Sequence, residues 1–140
     1  MNNSVVIDTN LLFSFLHKNQ AKSAKYFFLT EDAVFCTPNT FMVESFIHKE
    51  TILKKTKVSE EHLYRSLGLF SEKIYFINES TISIQNFIDA FHLCKAVDEK
   101  DISFIALALE LNAPFWTRDI ILKEHLISKG FTHFFDESLL

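Results

Sequence analysis

The sequence contains little glycine, proline or cysteine, with two residues of each among 140. A collagen-like or linker-rich chain is excluded, because those classes depend on abundant glycine and proline. A small secreted domain held together by disulfides is excluded too, since it needs more cysteines. Cys36 and Cys94 stand far apart in apolar surroundings, without the spacing of metal ligands. This pattern predicts two buried free thiols in a reducing compartment.

A net positive charge and a long apolar run are also absent. The formal net charge is −4, which argues against a protein that binds nucleic acid through a passive basic surface. It leaves open a nuclease whose metal ions neutralise its own carboxylates and the phosphates of its substrate. The opening residues, MNNSVVIDTNLL, show no basic leader, and no apolar run is long enough to cross a bilayer. We therefore expect a cytoplasmic protein with no membrane span.

Apolar residues are abundant, at 48% of the chain, and 16 of them are phenylalanine. This composition predicts one globular domain over residues 1–140 with a bulky aromatic core, although a biased base composition of the gene would produce the same excess. Short apolar runs alternate with helical patterns, which predicts an α/β fold: a central parallel sheet flanked by helices on both faces. The predicted strands are residues 4–7, 33–37, 74–77, 115–117 and 131–135. The predicted helices are residues 11–16, 20–29, 38–55, one that begins after Ser59, 81–97, 101–112 and 120–129.

Two acidic residues follow predicted strands. Asp8 comes directly after the first strand, and Asp119 lies two residues past FWT. Because ligands gather outside the carboxyl ends of parallel strands, both side chains are expected at one edge of the sheet. Each residue also fits the simpler role of N-cap for the helix that follows it.

Three more acids stand beside apolar helices. Asp101 begins the segment DISFIALALELN, and Asp98 lies three residues before it, so the pair also fits a capping box. Glu44 lies within FMVESFI, where apolar residues cover most of the predicted helix, and a carboxylate buried there needs a partner or a metal. The alternative is that Glu44 faces water on a narrow polar strip with Ser45 and His48. Carboxylate oxygens are the ligands that Mg²⁺ and Mn²⁺ prefer, and no Cys/His set indicates zinc.

Three segments, VVIDTNLLFSFL, TPNTFMVESF and DISFIALALELNAPFWTRD, together resemble the PIN domain family of metal-dependent nucleases. The resemblance implies catalytic and metal-binding roles for Asp8, Glu44, Asp101 and Asp119. Asp98 is extra to the family pattern, and its role is left open between a helix cap and a further, outer-sphere metal ligand. It further implies an endoribonuclease that uses Mg²⁺ or Mn²⁺, similar to the VapC-type toxins of toxin–antitoxin pairs. RNA as substrate, an antitoxin protein as partner and a homodimer are the corresponding expectations.

Several other residues are candidates for supporting roles. Thr9, Asn10 and Thr117 are placed to orient ligands, and His17 and His48 to assist proton transfer. Phe41 and Trp116 are candidates for stacking on bases, although core packing is the better explanation for both. The candidates for contact with the substrate backbone are Lys49, Lys54, Lys55, Lys57, Arg65, Arg118 and Lys123.

Three alternatives to the nuclease are open. A phosphatase of the haloacid-dehalogenase type also places an aspartate after the first strand, but it requires a second aspartate at the position where this chain has Asn10. A response-regulator receiver requires a nucleophilic aspartate after a middle strand and a lysine late in the sequence, and neither is evident here. A non-catalytic PIN-like interaction module would need none of the acids, so the presence of all four argues against it.

Overall fold

The computed structural model describes residues 3–17 and 20–140. Its sheet contains four parallel strands: β1 (Ser4–Ile7), β2 (Val34–Pro38), β3 (Ile74–Ile77) and β4 (Phe115–Trp116). They lie in the order β3-β2-β1-β4, so β1 is central and pairs with both β2 and β4. Ile7 pairs with Trp116, which brings the residues that follow these two strands to the same edge of the sheet.

Helices connect the strands and cover both faces of the sheet, as the alternating pattern predicts. The α/β fold with a central parallel sheet is therefore confirmed. In chain order the helices are α1 (Thr9–Ser14), α2 (Ala21–Leu29), α3 (Thr40–Ile47), α4 (Lys49–Thr56), α5 (Glu60–Lys73), α6 (Ile84–Cys94), α7 (Ile102–Leu111) and α8 (Ile120–Ser128).

The core consists of two apolar layers, one on each face of the sheet. Strand β1 contributes to both, because its side chains alternate: Val6 packs with α6, α7 and α8, whereas Val5 and Ile7 pack with α1, α2 and α5. The second layer is rich in aromatic rings, and Phe27 and Trp116 are both fully buried in it. The excess of phenylalanine thus does serve an aromatic core, and Cys36 and Cys94 are buried free thiols.

Some predicted boundaries were wrong. Pro38 ends β2 opposite Ile77 instead of opening a helix, and the predicted helix over 38–55 is two helices separated at His48, which leaves helical geometry. Residues 131–135 form no extended strand: Phe134 makes a single parallel bridge to Phe115. The predicted helix over 81–97 is shorter, because the Ser83 side chain caps α6 and the chain leaves the helix after Cys94.

The described part of the chain, residues 3–17 and 20–140, contains no helix that is both long enough and apolar enough to span a bilayer.

Candidate active site

Asp8 lies at the centre of the candidate site because it directly follows the central strand. Its residue surface is 4% exposed, and each carboxylate oxygen accepts one hydrogen bond. Oδ1 accepts from the Leu11 amide at 2.7 Å, which caps α1, and Oδ2 accepts from the Thr117 hydroxyl at 2.6 Å. The capping role predicted for Asp8 is therefore confirmed. The bond from Thr117 follows from the strand register, in which Ile7 and Trp116 are paired neighbours.

Asp119 approaches the same edge from the loop between β4 and α8. One oxygen, Oδ1, accepts from the Leu122 amide at 3.1 Å and so caps α8, as predicted. The backbone amide of Asp119 donates to the Thr117 hydroxyl oxygen at 3.1 Å. Thr117 therefore bridges the two acids that follow β1 and β4, which supports the orienting role predicted for it.

Glu44 reaches the site from α3 and is half-buried. Its Oε2 accepts a hydrogen bond from the Thr9 hydroxyl at 3.0 Å, which links α3 to the first turn of α1. Burial raises the pKa of the Glu44 carboxyl, the bond from Thr9 and the nearby His48 lower it, and Asp98 raises it again. The orienting role predicted for Thr9 thus has a definite partner, whereas Asn10 is exposed at the mouth of the site.

The expected setting of Glu44 was wrong in one respect. We expected apolar residues to bury α3 on most sides, but Val43, Phe46 and Ile47 are 60%, 57% and 69% exposed. Within this helix only Phe41 and Ser45 are buried. Glu44 is half-buried because it faces α1 and the acidic residues, and not because its helix is enclosed.

Asp98 and Asp101 lie on the turn that precedes α7. The Asp98 side chain accepts from the Lys100 amide at 2.9 Å and caps the short 3₁₀ turn Glu99–Asp101. The capping box predicted for Asp101 is wrong: within residues 3–17 and 20–140, its side chain caps no helix and accepts no hydrogen bond. Asp101 is therefore the least satisfied carboxylate of the group.

The electrostatic environment shows that the five acids are brought together. Burial raises the pKa of Asp101 to about 7, and the charges of Asp8, Asp98, Asp119 and Glu44 all contribute in the same direction. Burial likewise raises the pKa of Asp8 to about 6; hydrogen bonds from Thr117 and Leu11 oppose the shift, and Asp119 and Glu44 add to it. A group of mutually repelling, poorly solvated carboxylates is stabilised by a cation.

A cleft of about 390 Å³ opens beside these acids, between α1, α4 and the turn before α7. Glu44, Asp98 and Asp101 line it together with basic and imidazole side chains. Those side chains are Lys55, Lys100, His17 and His48. Lys100 was not among the predicted contact residues; its place between Asp98 and Asp101 was the signal available in the sequence.

Other predicted contact residues are engaged elsewhere. Lys49 pairs with Glu60 at 3.2 Å, and Arg65 pairs with Glu61 at 2.9 Å on the exposed surface of α5. Arg118 forms an ion pair with Glu137 at 2.9 Å. Phe41 and Trp116 are fully buried, so core packing explains both, and base stacking is ruled out for these side chains.

The donor set of the site fits a hard divalent cation. The acids gathered at this edge of the sheet offer oxygen ligands, and a carboxylate oxygen that accepts one hydrogen bond keeps a lone pair for a metal. Within residues 3–17 and 20–140, no three acidic, histidine or cysteine side chains already stand in a closed ligand arrangement.

Comparison with known proteins supports the fold. A family model described as the PIN domain matches residues 6–131. The structure is similar to a chain in the crystal structure of VapBC2 from Rickettsia felis bound to a DNA fragment from their promoter. The TM-score is 0.66 and the sequence identity 14%, over 86% of this chain and 92% of that one. At this identity the likeness establishes a shared fold. The sequence matches none of the curated proteins with which it was compared.

The family match covers nine-tenths of the sequence and includes every acid of the candidate site. It agrees with the resemblance found in the sequence and with the parallel sheet that places Asp8 and Asp119 at one edge. The chain therefore belongs to the PIN domain family.

Proposed function

We propose that this protein is a Mg²⁺- or Mn²⁺-dependent endoribonuclease that hydrolyses phosphodiester bonds in RNA. The observation that carries the proposal is the environment of Asp101. This carboxylate is partly buried beside four other acids and accepts no hydrogen bond from the described residues. A poorly solvated carboxylate beside like charges is stabilised by a bound cation. In addition, PIN domain proteins are generally nucleases.

Asp8, Glu44, Asp101 and Asp119 are the proposed metal ligands and catalytic residues, with Asp98 as a further ligand at the rim. A bound divalent ion supplies Lewis-acid chemistry, making water more acidic and offsetting negative charge on the phosphate. Thr117 and Thr9 keep Asp8 and Glu44 oriented through their hydroxyl groups.

The reaction adds the elements of water across one P–O bond and leaves a phosphomonoester and a hydroxyl group. In this proposal, the acidic protein holds the polyanion in the cleft beside its own carboxylates. Lys55 and Lys100 line it and offer positive charge to phosphates next to the one that reacts. His48 also lines the cleft and lies close enough to Glu44 to affect its ionisation, so it is a candidate for moving a proton.

The metal proposal is tested with Asp101→Asn, because among residues 3–17 and 20–140 this side chain caps no helix, so its amide analogue leaves the hydrogen bonds described above unchanged. Asp32→Asn, at an exposed position before β2, is the matched control. We expect Asp101→Asn to weaken Mn²⁺ binding, measured by calorimetric titration, and RNA cleavage together. The loss should exceed the roughly 10- to 100-fold typical of residues that only orient a ligand.

The same experiment separates the alternatives. Turnover of small phosphomonoesters without RNA cleavage would favour a phosphatase. If Asp101→Asn binds Mn²⁺ as the wild type does, and the wild type cleaves no RNA, the protein is an interaction module and the nuclease proposal is refuted.

We further propose that the protein is the toxin of a toxin–antitoxin pair. The structural similarity to a chain of the VapBC2 complex supports this proposal. If it is correct, expression of this chain alone arrests growth, and co-expression of a small protein encoded next to it relieves the arrest. Asp101→Asn should abolish the arrest, and Asp32→Asn should not. A homodimer and a cytoplasmic location stay predictions, which sedimentation and cell fractionation can test.

A further inference from the structure

Arg118 lies between Thr117 and Asp119 in the sequence, and its guanidinium joins three other parts of the fold. Its Nη1 donates to the Ser14 hydroxyl at 3.2 Å, at the end of α1, and to the Gln20 side-chain oxygen. Its Nη2 donates to the Ser23 hydroxyl at 2.7 Å, in α2. Its Nε donates to Glu137 Oε1 at 2.9 Å, in the short turn Glu137–Leu139.

Glu137 completes this arrangement from the last turn of the described chain. The same oxygen, Oε1, also accepts from the Trp116 indole nitrogen at 2.6 Å. Glu137 therefore binds two residues, Trp116 at the end of β4 and Arg118 in the loop that follows. The guanidinium also lies over the Phe15 ring, 5.9 Å from its centroid, and the Arg118 side chain is 22% exposed. A shielded, multiply bonded arginine of this kind holds its backbone more firmly than an exposed ion pair does.

The loop that Arg118 occupies is only three residues long, between the end of β4 at Trp116 and the start of α8 at Ile120. A change in the backbone at Arg118 must therefore move its neighbours, Thr117 and Asp119. Thr117 donates to Asp8, and the Asp119 amide donates back to Thr117. The contacts of Arg118 thus act on the loop that carries Thr117 and Asp119, and through Thr117 this loop reaches Asp8.

We propose that Arg118 and Glu137 are positioning residues for the acidic site: they fasten the loop of residues 117–119 to α1, α2 and the C-terminal turn. The inference rests on the proposed function to the extent that the positioned groups are metal ligands. Neither residue is proposed to touch the substrate or the metal.

Four variants test the proposal. Arg118→Met removes every hydrogen bond of the guanidinium, and Glu137→Leu removes the acceptor. Glu137→Gln keeps an amide oxygen that can accept both bonds, so it should rescue what Glu137→Leu loses. Arg65→Met is the matched control, because Arg65 is the only other arginine and its pair with Glu61 is exposed.

The first readout needs no metal: amide hydrogen exchange measured in EDTA. In Arg118→Met and Glu137→Leu, the Asp119 amide should exchange about tenfold faster or more, as expected when a charged hydrogen bond is lost. Amides in the middle of α7 should be unaffected. The second readout is Mn²⁺ affinity of the folded protein, which should fall roughly 10- to 100-fold in the same two variants. Arg65→Met and Glu137→Gln should match the wild type in both.

Unchanged exchange at Asp119 in Arg118→Met overturns the proposal. So does a drop in melting temperature with full retention of Mn²⁺ affinity, since that is the signature of a purely structural contact. If the wild type neither binds Mn²⁺ nor cleaves RNA, the proposed function is wrong, and the exchange result still decides whether Arg118 and Glu137 position the loop.

Discussion

Replacing Asp8 with asparagine should make the metal-free protein more stable at neutral pH, although the same change should destroy its activity. Folding buries the Asp8 carboxyl and raises its pKa from 3.8 to about 6. Asparagine has nearly the same shape and carries no charge. Its amide oxygen can still accept from the Leu11 amide, and the Thr117 hydroxyl can rotate to accept from the new NH₂ group.

The sign of the effect follows from proton linkage. Between pH 4 and pH 6 the folded state keeps the Asp8 proton that the unfolded chain has released, so the free energy of unfolding falls as the pH rises through the folded-state pKa. The stabilisation is complete below the unfolded-state pKa and is lost above pH 6. A pKa difference of about two corresponds to about 3 kcal/mol, since each unit is worth about 1.4 kcal/mol.

We therefore expect Asp8→Asn to exceed the wild type in unfolding free energy by about 1–3 kcal/mol at pH 8. The advantage should shrink towards zero at pH 4. Part of this gain in unfolding free energy arises because the neutral asparagine no longer repels the Asp101 carboxylate, whose raised pKa includes repulsion by Asp8. For a chain of this length the difference corresponds to an increase of roughly 3–10 °C in melting temperature.

The assay is thermal and urea unfolding in EDTA at pH 4, 5, 6, 7 and 8, followed by circular dichroism. Asp32→Asn is the control for a simple change of net charge and should show no comparable dependence on pH. Asp8 does not destabilise the fold by burial of its charge if Asp8→Asn is less stable than the wild type at pH 8, or if its difference from the wild type is the same at all pH values. Addition of Mn²⁺ should stabilise the wild type and leave Asp8→Asn unchanged.

Three further predictions concern the core, the backbone and the cleft. Phe27→Ala should destabilise the protein by about 3–5 kcal/mol in urea unfolding, because the ring is fully buried, whereas Phe46→Ala, at a position 57% exposed, should cost less than about 1 kcal/mol. Ala96→Gly should raise the free energy of unfolding by about 0.5–1 kcal/mol, because Ala96 has φ = 76°, a left-handed conformation that glycine adopts freely; no gain would contradict that strain. Lys55 lines the cleft, and its contact with phosphate is tested in Asp101→Asn, which is expected not to cleave RNA. There, Lys55→Met should weaken binding of single-stranded RNA and reduce the slope of log binding constant against log salt concentration by about 0.7. An unchanged slope would exclude Lys55 from phosphate contact.

The sequence by itself determined the fold class and much of the site. Alternation of β-branched runs with helical patterns is a local property of the chain, and it predicted the parallel sheet with helices on both faces. Because such a sheet places the ends of its strands at one edge, Asp8 and Asp119 could be expected together. Their capping roles were also predictable, since an N-cap depends only on the residue and on the helix that follows.

What only the tertiary structure decided depends on contacts between segments distant in the sequence. Asp101 was expected to form half of a capping box, yet among the described residues its side chain accepts no hydrogen bond and lies beside four other acids, because α7 begins one residue after it and not earlier. Glu44 was expected within an enclosed helix, whereas α3 exposes three apolar residues and brings Glu44 to Thr9 of α1. Arg118 looked like a substrate contact, and its partner Glu137 lies 19 residues away. Local patterns specify which residues begin and end elements, but packing of distant elements decides which polar groups are left without a partner and therefore available for chemistry.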